Sequence, residues 1–272
     1  MSTAVAMRAA VYHEPGRLEI EERPVPRPGP KEVLIRIRYC GVCGTDLHFV
    51  MDGWGRPGSI GGHEYSGVIS SVGDEVVGWC VGDAVVAGPD VGCGECAPCR
   101  RHRVSLCEAQ SDTARAEYVG AFAEYKVVEA AQLHRIPSGI SLREAAIAEP
   151  LAVSLHGITQ SGIGPGQRAL ITGAGPVGMF TLAALRAQGI EDVTVSEPSE
   201  VRRDLALRIG ATRTIAPEEL AVPPLPFVVV DDAYDVAFEC SGKAVAIESG
   251  RAQRGAAGPR GGGGRGAAHA RR

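Results

Sequence analysis

The sequence predicts an α/β plus β fold: a β-rich first half, then a doubly wound parallel sheet that stops short of completion. Three observations carry this. Glycine (36) and proline (18) make up about a fifth of the 272 residues, against roughly 12% on average, which favours turns and short strands over a helical bundle. From about residue 168 onward, strand and helix patterns alternate. Finally, residues 251–272 hold seven Gly, six Ala and six Arg with no Val, Ile, Leu or Phe, so they are expected to be a disordered tail.

The elements follow in order. Short strands are expected at 6–12, 66–72, 83–87 and 121–128. Lys31 to Cys40 alternates, with Val33, Ile35, Ile37 and Tyr39 on one face and Leu34, Arg36 and Arg38 on the other, which predicts a half-buried strand. Ser141 and Glu144 make a capping box that opens a short helix through Ala148. Pro150 sits where a second helix can start, running on through Leu151–Gln160. Strand Arg168–Thr172, helix Pro176–Gln188, strand Asp192–Ser196 and helix Pro198–Ile209 come next, the helices stopped by Gly189 and Gly210. Thr212–Ile215 and Tyr234–Cys240 are further strands. Pro223, Pro224 and Pro226 argue against a regular helix between them. The domains expected are therefore 1–150, 151–250 and the tail 251–272.

Charge narrows the partners. The basic residues are 25 Arg and 3 Lys, and residues 1–250 carry 22 of them against 32 acidic side chains. This acidic body argues against nucleic acid or a membrane surface as partner. No apolar run approaches the roughly 20 residues of a membrane span, and Met1 to Val11 lacks a signal-peptide layout. A cytoplasmic protein is expected.

Four of the eight cysteines, Cys93, Cys96, Cys99 and Cys107, fall within fifteen positions. Four thiolates at this spacing suit a closed tetrahedral zinc site, with Gly92 and Gly94 allowing the tight loop. Arg100, Arg101 and Arg103 can offset its charge. Free or redox-active thiols and an iron–sulfur cluster are the competing readings. A second group of donors lies upstream, in Cys43-Gly44-Thr45-Asp46-Leu47-His48 and Gly62-His63-Glu64-Tyr65-Ser66-Gly67. It places Cys, His and carboxylate side chains on loops beside strands, as an open catalytic zinc site requires.

Gly173-Ala174-Gly175-Pro176-Val177-Gly178 fits the Gly-x-Gly-x-x-Gly dinucleotide pattern. It follows a predicted strand and opens a predicted helix, and Glu197 lies 19 positions after Gly178, near the ~20 expected for a carboxylate that takes the ribose hydroxyl. Such a carboxylate repels a 2′-phosphate, so NAD is expected over NADP.

Taken in this order, these motifs resemble the zinc-containing medium-chain alcohol dehydrogenases, in particular their polyol, butanediol and threonine dehydrogenase branch. The resemblance runs from about Met7 to Gly250. It implies a GroES-like catalytic domain followed by a Rossmann domain, with one catalytic and one structural Zn²⁺ and NAD as cofactors. It makes Cys43 and His63 catalytic zinc ligands, with Glu64 and Glu149 sharing or alternating in the remaining position. Asp46 would orient His63, and Gly67 and Gly73 complete the zinc signature. Thr45 would pass the substrate proton through the cofactor ribose to His48. Arg202 matches a basic position beside the adenine ribose, and reads equally as a solvated helix residue. The implied reaction moves hydride from a secondary alcohol, diol or polyol to NAD. A catalytically inactive zinc-stabilised nucleotide-binding protein is the alternative, and a zinc-free reductase of the same superfamily fits the ligand motifs poorly.

After Asp235–Gly242, relatives continue through further sheet strands, including the edge through which subunits of their homo-oligomers pair. Here the Gly/Ala/Arg tail follows instead. Truncation or a frame shift is the expectation drawn from this, with a short Arg/Gly nucleic-acid tail as its rival.

Overall fold

The computed structural model describes residues 5–88, 92–109, 119–220 and 233–253. Pro223, Pro224 and Pro226 and the tail beyond Gln253 lie outside them. The chain divides into two compact units between Glu149 and Pro150.

The first unit is built on antiparallel strands. β1 (Ala6–Glu14) and β2 (Arg17–Pro24) form a hairpin turned at Gly16, whose φ of 78° suits glycine. β2 is unexpected, and its burial explains why. Leu18 and Ile20 are 42% and 71% exposed, so pairing rather than an apolar face holds it. A five-stranded sheet follows in the order β6-β3-β4-β5-β7, from β3 (Glu32–Cys40), β4 (Tyr65–Val72), β5 (Ala84–Ala87), β6 (Tyr125–Glu129) and β7 (Leu133–Arg135). Its core holds Val33, Ile35, Ile69 and Val85.

The expected alternation in β3 breaks at both ends. Leu34 is buried and Tyr39 exposed, because register shifts at Leu34/Ile35 and Ile37/Tyr39 turn the strand. The strand expected at 121–128 starts only at Tyr125. Residues 120–122 instead brace the Gly61–Gly62 segment, with the Gly120, Ala121 and Phe122 amides donating to the carbonyls of Ile60, Gly62 and Gly61. Gly62 has a φ of 92°, and a Cβ there would sit 2.8 Å from the Phe122 nitrogen.

Two helices break the expected loops, α1 (Gly44–Met51) and α2 (Ala97–Arg100). The predicted capping box opens α3 (Leu142–Ala145): the Glu144 amide donates to Ser141 Oγ at 3.2 Å, and the Ser141 amide to the Glu144 carboxylate at 2.8 Å. This helix ends before Ala148, where α4 (Ala148–Ser161) begins, so Pro150 is the third residue of α4 rather than its start.

The second unit is a parallel sheet. β8 (Arg168–Thr172), α5 (Pro176–Ala187), β9 (Asp192–Ser196), α6 (Glu200–Ile209), β10 (Arg213–Ile215) and β11 (Val236–Glu239) alternate as the sequence predicts. The order β10-β9-β8-β11 matches the first four places, 3-2-1-4, of the dinucleotide-binding sheet. Leu170, Ile171, Leu182, Leu185 and Ile190 are almost fully buried, each stabilising the unit by roughly 1.5–3 kcal/mol. α7 (Ala244–Ala252) runs two residues past the boundary expected at 250, and buried Gln253 accepts from the Tyr234 amide through its carbonyl. No helix among the described residues is long and apolar enough to cross a membrane.

Candidate metal centres and nucleotide site

Cys43 is the N-cap of α1, so Thr45, Asp46 and His48 lie on a helix rather than on the expected loop. No Ser, Thr, Asn or Asp caps this helix. The Asp46 side chain reaches back instead, its Oδ2 accepting from the Cys43 amide at 2.9 Å. Its Oδ1 accepts from the Gly62 amide at 3.0 Å and lies 3.7 Å from His63 Nδ1. One buried carboxylate therefore ties the two halves of the motif together. Ligand atoms of Cys43, His63 and Glu64 all lie within 4.8 Å of one another.

The Cys43 thiol is held below its ordinary range, chiefly by a hydrogen bond with His63 and further by Thr45, against the effect of burial. His63 is raised to about 9 by the same bond, opposed by burial and helped by the Asp46 charge. Glu149, in the first turn of α4, lies outside the three-residue group. Burial raises its pKa, the charge of His63 lowers it, and Glu64 and Asp46 raise it further. His48 pairs with Asp52 at 2.6 Å through Nδ1 and stacks on Trp54 at 4.8 Å. Neither partner was expected from sequence.

Ligand atoms of Cys93, Cys96, Cys99 and Cys107 also lie within 4.8 Å of one another. The Sγ atoms of Cys93 and Cys99 are 4.0 Å apart. A disulfide needs about 2.05 Å, whereas the edge of a zinc–thiolate tetrahedron is about 3.8 Å for 2.3 Å bonds. Amides of Cys93 and Cys96 donate to the sulfurs of Cys107 and Cys93, both at 3.3 Å. The Cys93 amide is the main reason that Cys107 is lowered to about 6, while burial and the neighbouring thiols push Cys99 up to about 12. Four thiols this close cannot all ionise without a cation among them, and a divalent metal resolves that conflict. Gly92 has a φ of 75°, and a Cβ there would meet Cys99 Sγ at 2.8 Å.

A third group, His13, Glu19 and Glu21, sits on the β1–β2 hairpin. Its carboxylates are already paired with Arg17 and Arg23, so it forms a surface charge ladder.

In the second unit the three glycines of the fingerprint occupy distinct settings. Gly173 has a φ of 96° and backs onto Ser241. Gly175, the N-cap of α5, has only open space where its Cβ would point. A Cβ on Gly178 would run into the carbonyl oxygen of Gly173. These are the turn, approach and packing roles that a pyrophosphate cradle demands, with Pro176 and Val177 opening the helix at it. Buried Glu197 accepts from the Ala174 amide at 2.8 Å and the Ser199 amide at 3.1 Å. Arg202 is exposed, whereas Arg203 donates to the carbonyls of Glu197 and Pro198 at 2.7 and 2.8 Å.

Known proteins resemble this chain in sequence and fold. The family described as alcohol dehydrogenase GroES-like domain matches residues 29–138, and that described as zinc-binding dehydrogenase matches 176–256. D-xylulose reductase A of Aspergillus niger is 35% identical, over 86% of this chain and 68% of its own. Sorbitol dehydrogenase of Bacillus subtilis is 36% identical, over 89% and 70% respectively. Among solved structures, a protein of Sinorhizobium meliloti described as a zinc-binding dehydrogenase and bound to NADP superposes with a TM-score of 0.81 at 31% identity. That match covers 92% of this chain and 74% of the other. The chain thus spans about two thirds to three quarters of the length of these relatives. With its ordered zinc motifs, its GroES-like and Rossmann-type sheets and these matches, the chain belongs to the zinc-containing medium-chain alcohol dehydrogenase superfamily.

Proposed function

We propose that the chain is a zinc-dependent oxidoreductase that transfers hydride from a secondary alcohol, diol or polyol to NAD. The observation that carries this reading is the Cys43, His63 and Glu64 cluster with the buried Asp46 carboxylate behind it. Cys43, His63 and Glu64 would hold the catalytic zinc, with Glu149 as the alternative carboxylate. Cys93, Cys96, Cys99 and Cys107 would hold the structural one. Zinc bound at the first site supplies Lewis acidity toward the substrate hydroxyl.

The protein's own groups do the remaining work. Asp46 fixes the His63 ring through Nδ1. The Thr45 hydroxyl can accept and donate, so Oγ1 would take the substrate proton as it gives up its own, which passes outward to His48. His48 releases that proton to water. Gly173, Gly175, Pro176, Val177 and Gly178 present main-chain N–H groups to a pyrophosphate, Glu197 receives the ribose hydroxyls, and Arg202 flanks the adenine ribose. Glu197 sets the preference for NAD, since a 2′-phosphate would meet its charge. In this reading residues 1–150 are the catalytic domain and 151–250 the nucleotide domain. Residues 251–272 are a tail, and the enzyme works on small-molecule alcohols in the cytoplasm.

A pair of variants tests the proposal. Cys43→Ser should lower turnover at least about 100-fold and zinc content from about two to about one per chain. Cys96→Ser should lose the other zinc and lower the thermal midpoint. Wild-type turnover in Cys43→Ser contradicts the reading. So does a wild-type chain that carries both zincs and binds NADH yet oxidises none of a panel of diols, polyols and threonine; such a protein would be zinc-stabilised and nucleotide-binding without catalysis.

A further inference from the structure

Glu239 ends β11, and what its side chain does there has no counterpart in the fingerprint. Its Oε1 accepts from the Ser241 amide at 2.7 Å, the Gly242 amide at 3.0 Å and the Ser241 hydroxyl. Ser241 Oγ in turn accepts from the Lys243 amide at 3.2 Å. The sheet ladder ends just before, where the Cys240 amide donates to the Thr172 carbonyl at 2.8 Å. One carboxylate oxygen therefore gathers the turn between β11 and α7 through charge-assisted bonds.

That turn touches the nucleotide cradle. A Cβ placed on Gly173 would lie 2.9 Å from the Ser241 nitrogen, so the Ser241 main chain packs directly on the first fingerprint glycine. β8 and β11 flank the point where strand order reverses, and dinucleotides bind in the crevice beyond the strand ends there. Glu197 holds the β9 side of the same turn through the Ala174 amide. Two carboxylates thus brace the fingerprint from opposite sides, and only one belongs to the recognised motif.

We propose that Glu239 is a positioning residue of the nucleotide site: it fixes the Ser241–Lys243 turn and, through it, the conformation of the Gly173 turn. The proposal rests on the nucleotide-binding reading above, and Glu239 itself need not touch the ligand.

The test uses the full zinc-loaded chain and NADH as the probe, with Glu239→Gln, Glu239→Ala and wild type compared by fluorescence titration. Amide hydrogen exchange at Ser241, Gly242 and Ala174 is measured alongside. Glu239→Ala should weaken NADH binding roughly tenfold or more and speed exchange at these amides, with zinc content unchanged. Glu239→Gln should fall between, because its amide oxygen keeps an acceptor without the charge, and its matched shape keeps the test valid if the alanine variant fails to fold. Variants that melt earlier yet bind NADH with wild-type affinity overturn the proposal and leave Glu239 a structural residue only. Failure of the wild type itself to bind NADH overturns the nucleotide reading and the proposal with it, and that failure is distinguished by the wild-type arm alone.

Discussion

At Gly175 and Gly178 one residue type does two opposite jobs. A Cβ at Gly175 meets open space at an ordinary φ of −76°, so Gly175→Ala should leave the thermal midpoint within about 2 °C. It should still weaken NADH binding, because the methyl group fills the approach to the cradle. Gly178→Ala drives a methyl group into the Gly173 carbonyl and should cost about 1–3 kcal/mol of stability by overpacking α5 against β8. Thermal melts and nucleotide titrations of the two variants check the contrast. The residues legible in the sequence were those whose chemistry depends on fixed spacing: the four cysteines, Cys43 and His63, and the fingerprint glycines. Asp52, Trp54, Arg203 and Glu239 were not legible. Each acts through a side-chain hydrogen bond, a turn or a ring stack, and any solvated charge or aromatic residue reads the same way in one sequence.

Among the elements, the strands and helices from Arg168 to Glu239 were read to within two residues, because buried parallel strands and their glycine-stopped helices announce themselves by composition, whereas α7 was not expected. The first unit was harder. β2 keeps its apolar residues exposed, and α1 is capped in reverse by Asp46 rather than by its N-cap side chain. Neither gives the usual signal. The Ser141 cap was legible and can be tested. Ser141→Ala should cost about 1 kcal/mol at neutral pH. Ser141, through its hydroxyl and amide, lowers the pKa of Glu144. A carboxylate lowered on folding contributes stability that is present above its unfolded pKa of about 4.3 and lost as pH falls through the folded value. The stability gap between Ser141→Ala and wild type should therefore shrink on acidification below about pH 4. Chemical denaturation across the acid range measures it, and a gap that widens contradicts the cap.

On the scale of the whole molecule, the two cysteine-bearing clusters lie in the first compact unit and the glycine fingerprint in the second. If the Cys93–Cys107 cluster holds zinc as proposed, Gly92→Ala, which strains the loop and crowds Cys99 Sγ, should lower zinc content by about one ion per chain without changing NADH affinity. The Cys43 and His63 centre is what would make this chain a zinc-dependent alcohol dehydrogenase. The most direct measurement is NAD reduction by a panel of secondary alcohols, diols and polyols, before chelation, after it, and after zinc is restored. Turnover that chelation abolishes and restored zinc recovers is the expected result for a zinc-dependent enzyme. Turnover that persists in the zinc-free protein contradicts it.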